Sequence, residues 1–232
     1  MNSPPAGTGR RRFVVGTSAA LLAATPMRRL MAMARKPPVQ GIHEVVGEVR
    51  VNGASAGVGA PVAPGDTVET GDGSRAIYVV GRSVFLQREQ TRVELEPSAE
   101  EGLEASDNAF LHAMRVLAGK LLSVHARGEL SVETPNGGIG IRGTGLYVDA
   151  GDARTYVCVC YGRADLFSPG GEQLETVRTR HHESPRYLYP AGAATPIAEA
   201  SVVDHSDDEL ILLESLAGRR PPFVNDAGRS VY

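Results

Sequence analysis

Two cysteines and two histidines are the residues of this sequence whose types and spacing could do chemistry. Cys158 and Cys160 are separated by one residue in a strand-like run, so both side chains should point to the same face. His181 and His182 follow, beginning 21 residues after Cys160. Thiolate and imidazole are the ligands that soft and borderline transition metals prefer. These four residues are therefore predicted as ligands of a transition metal, or as part of a thiol redox site.

The spacing of these residues leaves other interpretations open. Zinc modules usually separate their cysteines by two to four residues, and adjacent histidines on a strand face opposite ways, so only one would reach a given site. The cysteines would equally serve as small buried hydrophobic residues in a core strand. They could also form a disulfide, which would be strained because same-face neighbours two residues apart lie near the upper distance limit.

The rest of the sequence offers no recognisable catalytic pattern. It contains neither G-x-S-x-G nor H-E-x-x-H, and the glycines at 140–145 fit neither a dinucleotide fingerprint nor a P-loop. The other histidines are scattered and are expected at the surface: His43, His112, His125 and His205. We therefore expect a non-enzymatic protein, with no cofactor other than the transition metal considered above.

The first 34 residues have the pattern of a twin-arginine export signal, with Arg10, Arg11 and Phe13 as its signal residues. The apolar stretch 13–24 is too short to span a bilayer, which takes roughly 20 residues. A small-x-small cleavage site ends at Ala34. The segment predicts a periplasmic protein, or one tethered to the inner membrane if the signal is not cleaved.

Charge and hydropathy narrow the classes of partner. The sequence has 24 basic and 27 acidic residues, and five of the basic ones are arginines within 1–34, so the mature chain would carry a net charge of −8. This balance argues against a nucleic-acid partner, because phosphate binding needs a basic face. No second long apolar run follows, so we expect no transmembrane helix in the mature chain.

Short apolar runs between turn signals predict an all-β domain. Glycine (27 residues) and proline (15 residues) are abundant, and turns recur at the spacing of short strands, roughly every 8–12 residues. In the run 154–161, Tyr156, Cys158 and Cys160 should share one face, and Val157, Val159 and Tyr161 the other. The segment 110–117 fits either a helix or a strand.

The C-terminal part differs from the rest. Ser206 and Glu209 form a capping-box pattern, and the apolar residues that follow predict a helix over 207–217. The predicted organisation is a signal peptide (1–34), a linker (35–41), a β domain (42–190) and an extension with the helix (191–232).

Six short segments of the β domain occur in a fixed order, and it is their order and spacing together, rather than any one segment, that is distinctive. They are Val51-Asn52-Gly53, Pro64-Gly65-Asp66-Thr67-Val68-Glu69-Thr70-Gly71, Ser74-Arg75-Ala76, Gly119-Lys120-Leu121-Leu122, Val132-Glu133-Thr134-Pro135 and Gly140-Ile141-Arg142-Gly143-Thr144. Over residues 44–168 the chain resembles the FecR domain, the periplasmic module of iron-transport sensor proteins. The resemblance implies a solenoid- or roll-like all-β unit outside the cytoplasm.

The resemblance also implies a function, with two departures. Family members relay a signal from an outer-membrane receptor to a cytoplasmic sigma factor, but here an export signal stands where the anti-sigma region would be expected. Gly145 stands where the family usually has an acidic residue. We therefore expect a FecR-like domain that binds a periplasmic or outer-membrane protein or an envelope component, in iron-related signalling or transport. The alternative is a metal- or thiol-redox-handling protein using Cys158, Cys160, His181 and His182.

Overall fold

The computed structural model describes residues 1, 38–96, 111–225 and 230. The chain divides into two compact units, Met1–Arg35 and Lys36–Tyr232, and the architecture below belongs to the second. The predicted signal residues Arg10, Arg11 and Phe13 and most of the linker lie outside the described residues. Within the described ranges, no helix has the length and apolar character needed to cross a membrane.

Strands make up most of the second unit, which confirms the all-β prediction. The described residues contain fifteen strands and one helix: β1 Gly41–Val46, β2 Val49–Val51, β3 Ala54–Ser55, β4 Thr67–Thr70, β5 Arg75–Val80, β6 Ser83–Gln87, β7 Thr91–Leu95, β8 Ala113–Val124, β9 Glu129–Thr134, β10 Gly137–Arg142, β11 Gly145–Ala150, β12 Thr155–Phe167, β13 Gln173–Thr179, β14 Arg186–Leu188, β15 Ile197–Glu199 and α1 Asp207–Leu216.

Two long strands, β8 and β12, belong to both parts of the sheet. The other strands of the first part are β1, β5, β6, β11, β14 and β15, and those of the second part are β2, β3, β4, β7, β9, β10 and β13. The first half of β8 pairs with β7 and β9 and its second half with β6 and β11. The first half of β12 pairs with β11 and β14, and its second half with β10 and β13. Among the named strands, β8–β9 is the one parallel pair. This pattern does not confirm a solenoid, which stacks repeated units along the chain.

Within the described part of the segment 110–117, the strand alternative is confirmed from Ala113 onward. Leu111 and His112 precede β8, which begins at Ala113 and continues to Val124. Alternate residues Met114 and Val116 are fully buried, as expected for a strand with one face in the core.

Two hydrophobic clusters lie on opposite faces of the strands β5, β6, β8, β11 and β12. The larger one includes Val157 and Val159, and the smaller one includes Tyr156, Cys158 and Cys160. The alternation predicted for β12 is therefore confirmed for these five residues. We call the smaller group the cysteine-side cluster; its other buried members are Ile77, Val79, Val84, Leu86, Leu122, Val124, Tyr147, Tyr161, Leu210, Leu213 and Phe223.

The predicted alternation is wrong at Tyr161. Its side chain was expected on the same face as Val157 and Val159, but it lies in the cysteine-side cluster. Gly145 pairs with Tyr161 and Leu146 pairs with Val159, so Cys160 is an extra residue in β12. Such a β-bulge re-aims the side chains that follow it. The Tyr161 ring then lies directly over Gly145, where an added Cβ would come within 2.5 Å of a ring carbon.

The predicted helix is present as α1 and ends one residue earlier than expected, at Leu216. The Ser206 hydroxyl accepts a hydrogen bond from the Glu209 backbone N–H at 3.3 Å, and the Glu209 carboxylate accepts one from the Ser206 N–H at 3.0 Å. This confirms the capping box. Leu210 and Leu213 are buried and turn α1 toward the cysteine-side cluster.

His125 was expected at the surface, and that expectation is wrong. Its side chain is buried between Ser83 and Ser123, with the two ring nitrogens 3.0 and 2.8 Å from the two hydroxyls. Burial, and then the positive charge of Arg219, lower the pKa of His125 to about 3. The imidazole is therefore held neutral in the folded protein.

Acid should destabilise the protein through His125. The folded-state pKa is below the unfolded value of about 6.5, so the stabilisation is complete above pH 6.5 and is lost as the pH falls toward 3. Between pH 7 and pH 5 the free energy of unfolding should drop by about 2 kcal/mol more in the wild type than in His125→Asn. Urea unfolding at both pH values measures this difference. Equal pH dependence in the two proteins would contradict it.

Candidate metal centre

Four potential ligand atoms converge beside β12. The Cys158 and Cys160 sulfurs and one ring nitrogen each of His182 and His205 all lie within 4.8 Å of one another. The Cys158 sulfur is 3.5 Å from Nδ1 of His182, which is 3.0 Å from Nε2 of His205. In a tetrahedral zinc site, bonds of about 2.3 Å to sulfur and 2.0 Å to nitrogen place ligand atoms roughly 3.3–3.8 Å apart. The four atoms therefore surround a space of the size that one ion occupies.

The cysteines reach the centre because of their place on β12. Cys158 and Cys160 both face the cysteine-side cluster, and both are free thiols with no exposed surface. Cys160 is the bulged residue, so its position depends on the pairing of Gly145 with Tyr161.

His182 is brought to the cysteines by the turn after β13. Its backbone is left-handed (φ 50°), and its N–H donates to the Cys160 carbonyl at 2.9 Å. Neither His181 nor His182 lies on a strand, so the strand rule for adjacent side chains does not apply. Both rings contact the Asp207 carboxylate, at 2.8 Å from His181 and 3.2 Å from His182.

Each histidine of the centre has a partner on its other nitrogen. Nε2 of His182 lies 3.2 Å from the Asp207 carboxylate, and Nδ1 of His205 lies 2.6 Å from the Val203 carbonyl. Acceptors at these positions fix the N–H there, which leaves the lone pairs of His182 Nδ1 and His205 Nε2 directed into the centre. When both rings are neutral, these two lone pairs 3.0 Å apart repel one another, and a proton or a metal ion between them removes the repulsion.

Electrostatics favour a thiolate at Cys158. The hydrogen bond from Cys160, and then the nearness of the His182 and His205 imidazoles, lower the pKa of Cys158 to about 4 despite burial. Burial and the neighbouring Cys158 sulfur raise the pKa of Cys160. Burial lowers the pKa of His182, but its contacts with Cys158 and Asp207 outweigh this and raise it overall. Without a metal, these shifts favour a thiolate at Cys158 beside a protonated His182, and a metal ion would take the place of that proton.

Aromatic rings enclose the centre. Tyr147 stacks on His205 with ring centroids 4.6 Å apart, and Phe223 lies 4.9 Å from His181 and 6.4 Å from His182. Tyr147 and Phe223 are buried. These contacts hold the imidazoles in place and exclude water, two properties of a preorganised metal site.

The structure brings together three of the four residues predicted from the sequence: Cys158, Cys160 and His182. His181 lies outside the group of four and contacts Asp207 instead. Sequence reasoning missed His205, which was expected at the surface, and gave Asp207 only a role at the helix terminus. The two residues lie 23 and 25 positions beyond His182, and no local spacing pattern marks them as partners of the cysteines.

The order Cys158, His182, Asp207 also matches the arrangement of a nucleophilic thiol, a base and an orienting carboxylate. A nucleophile must meet its substrate, and the Cys158 side chain has no exposed surface. The placement of His205 against the same nitrogen of His182 adds a fourth ligand that such a catalyst does not need.

Comparison with known proteins gives only distant similarities. No protein-family model matches the sequence, and no curated protein matches it. Two crystal structures of a candidate anti-sigma factor from Parabacteroides distasonis ATCC 8503, at 1.65 and 2.50 Å resolution, align with a TM-score of 0.45 and identities of 14% and 13%. Each alignment covers 64% of this chain and 64% of the other, so the chain spans less than two thirds of that protein's length.

Proposed function

We propose that this protein binds one zinc ion through Cys158, Cys160, His182 and His205. The observation that carries the proposal is the convergence of two sulfurs and two imidazole nitrogens within 4.8 Å of one another, with the opposite nitrogen of each ring engaged by another acceptor. Two thiolates and two imidazoles in a closed tetrahedral set are typical of a structural zinc site. The ion would stabilise the β domain by joining β12, the turn after β13 and the segment before α1.

Charge balance and ligand type favour zinc over Cu⁺, Mg²⁺ and Ca²⁺. Two thiolates and two neutral imidazoles carry a charge of −2, which Zn²⁺ neutralises and Cu⁺ does not, and a residual buried charge is costly. Mg²⁺ and Ca²⁺ prefer oxygen ligands, and none of the four ligand residues supplies one. The Asp207 carboxylate serves the site through His182, as an outer partner that orients the ring.

The proposed role is non-enzymatic. A catalytic zinc keeps an open coordination position for water or substrate, whereas four protein ligands would fill this one. Burial of both sulfurs also argues against a thiol redox cycle, which needs access for an oxidant or a partner thiol.

Export to the periplasm is part of the same proposal. The arginine pair, the short apolar stretch and the small-x-small site support a twin-arginine signal over residues 1–34. This route carries folded proteins, so zinc would be inserted before export.

A second candidate function is binding of a periplasmic or outer-membrane partner in iron-related signalling or transport. The ordered FecR-like segments support it, because they fall at the turns and strands between β2 and β11 of one β unit. Affinity capture from envelope extracts tests this role. Recovery of one defined partner would support it, and recovery of none above background would contradict it.

Metal analysis of the purified protein tests the zinc proposal. After zinc loading and gel filtration, the wild type should hold one zinc per chain. Cys158→Ser and His205→Ala should each hold far less, because each lacks one of four ligands. His181→Ala should stay near one, since His181 lies outside the group of four.

Circular dichroism of each variant would establish that it is folded before its metal content is compared. A wild type without stoichiometric zinc would contradict the proposal. Loss of zinc from His181→Ala together with retention by His205→Ala would contradict the assignment of the ligands.

A further inference from the structure

The four ligands come from two separate parts of the fold. Cys158, Cys160 and His182 belong to β12 and the turn after β13, whereas His205 belongs to the segment that follows β15. We call residues 200–225 the C-terminal cover; it contains His205 and α1. A metal ion at the centre would therefore join the cover to the sheet by a coordinate bond.

The cover hides an apolar face of the sheet. Leu210 and Leu213 of α1 and Phe223 beyond it are fully buried in the cysteine-side cluster. Beneath them lie side chains from the sheet, among them Leu122 and Val124 of β8. If the cover moved away, this face would be in contact with water.

The other polar attachments of the cover include one buried hydrogen bond, from the Tyr161 hydroxyl to the Glu214 carboxylate, and several contacts nearer its margins. Lys120 pairs with Asp204 at 2.8 Å, with 37% and 49% of the two side chains exposed. Arg88 contacts Glu209 at 2.8 Å and the Asp204 carbonyl at 2.6 Å. Ion pairs that reach solvent contribute little to stability. A ten-residue helix is also only marginally stable in isolation, so α1 depends on what docks it.

The centre itself makes docking depend on an ion. When the cover is in place, Nε2 of His205 lies 3.0 Å from Nδ1 of His182 and close to both sulfurs. When both rings are neutral and their opposite nitrogens are engaged, these atoms are acceptors that face one another. A metal ion bound by all four ligands needs His205 in this position, so it stabilises the closed arrangement selectively.

We propose that zinc acts as a latch, holding the C-terminal cover on the cysteine-side face, so that zinc occupancy controls exposure of that face. This inference rests on the proposed zinc function, and adds that the ion regulates the position of the cover in addition to stabilising the domain. The occupant of the face in the zinc-loaded state is the chain's own α1.

Hydrogen exchange with mass spectrometry on the full chain tests the latch. In the wild type, backbone amides of α1 should exchange at least about tenfold faster after zinc removal than in the zinc-loaded protein, through opening of the cover alone. Amides of β4 and β7, which lie in the other part of the sheet, serve as an internal reference and should change much less. In His205→Ala, zinc should no longer slow exchange in α1, whereas His205→Cys, which restores a ligand, should recover the effect.

The outcomes separate the latch from the site. Stoichiometric zinc binding with unchanged exchange in α1 would overturn the latch and leave the zinc site standing. A uniform change across α1, β4 and β7 would also overturn it, because α1 would then exchange only through unfolding of the whole domain and not through opening of the cover. Absence of zinc binding by the wild type would overturn the site and the latch together.

Discussion

Removal of zinc will lower the midpoint of thermal unfolding of the wild-type protein by about 8–16 °C. A ligand present at about 1,000 times its dissociation constant stabilises the folded state by roughly 4 kcal/mol. For a domain of 150–250 residues, each kcal/mol shifts the midpoint by about 2–4 °C. Scanning calorimetry of the same preparation, with excess zinc and with chelator, measures this shift.

The matched control is the variant Cys158→Ser/Cys160→Ser, which lacks both sulfur ligands. Its midpoint should be the same with zinc and with chelator. A shift of equal size in this variant would mean that zinc stabilises the protein elsewhere, and the assignment of the centre would be wrong. The His125→Asn variant should keep the full zinc shift, because His125 is held by Ser83 and Ser123 rather than by the centre.

Substitution of Gly145 will destabilise the protein because of the Tyr161 ring. An alanine Cβ would lie 2.5 Å from a ring carbon of Tyr161, and that ring is buried with its hydroxyl bonded to Glu214. Overpacking of this kind costs about 1–3 kcal/mol. Gly145→Asp should lower the free energy of unfolding more than Gly145→Ala does, because it would also place a carboxylate in a buried position.

Gly57→Ala is the control for this prediction. Gly57 is exposed, and an added Cβ there meets no atom within 4 Å, so its free energy of unfolding should stay within about 0.5 kcal/mol of the wild type. Urea unfolding of the three variants gives the comparison. Equal stability of Gly145→Ala and Gly57→Ala would show that Tyr161 moves aside without cost.

Gly145 is the position at which the FecR resemblance predicted an acidic residue. In the structure a tyrosine ring covers it. The packing of Tyr161 over Gly145 accompanies the bulge at Cys160. The same bulge sets the position of a proposed zinc ligand, so Gly145 pairs with the part of β12 that carries the candidate site.

Features that depend on neighbours in the chain could be predicted from the sequence. The alternation that puts Cys158 and Cys160 on one face follows from the period of a strand. The capping box at Ser206 and Glu209 needs residues only three positions apart. The abundance of turn signals was enough for the all-β class, although not for the antiparallel arrangement of the strands.

Features that depend on tertiary contacts could not be predicted in this way. The sequence places His205 beside the helix start, and only docking of the C-terminal cover brings it to His182. The bulge at Cys160 adds one residue to β12 opposite β11, and nothing in the run 154–161 marks it. His125 was assigned to the surface because the histidines are scattered along the sequence, and only the pairing of β6 with β8 brings its partner Ser83 close to it.

X-ray absorption at the zinc K-edge of the zinc-loaded full-length protein tests the central claim most directly. A Cys₂His₂ centre predicts a first shell of two sulfur atoms at about 2.3 Å and two nitrogen atoms at about 2.0 Å. The imidazole rings should add the multiple-scattering features of two histidines, and one sulfur should disappear from the shell in Cys158→Ser. A first shell made of oxygen and nitrogen alone, with no sulfur at 2.3 Å, would contradict the account.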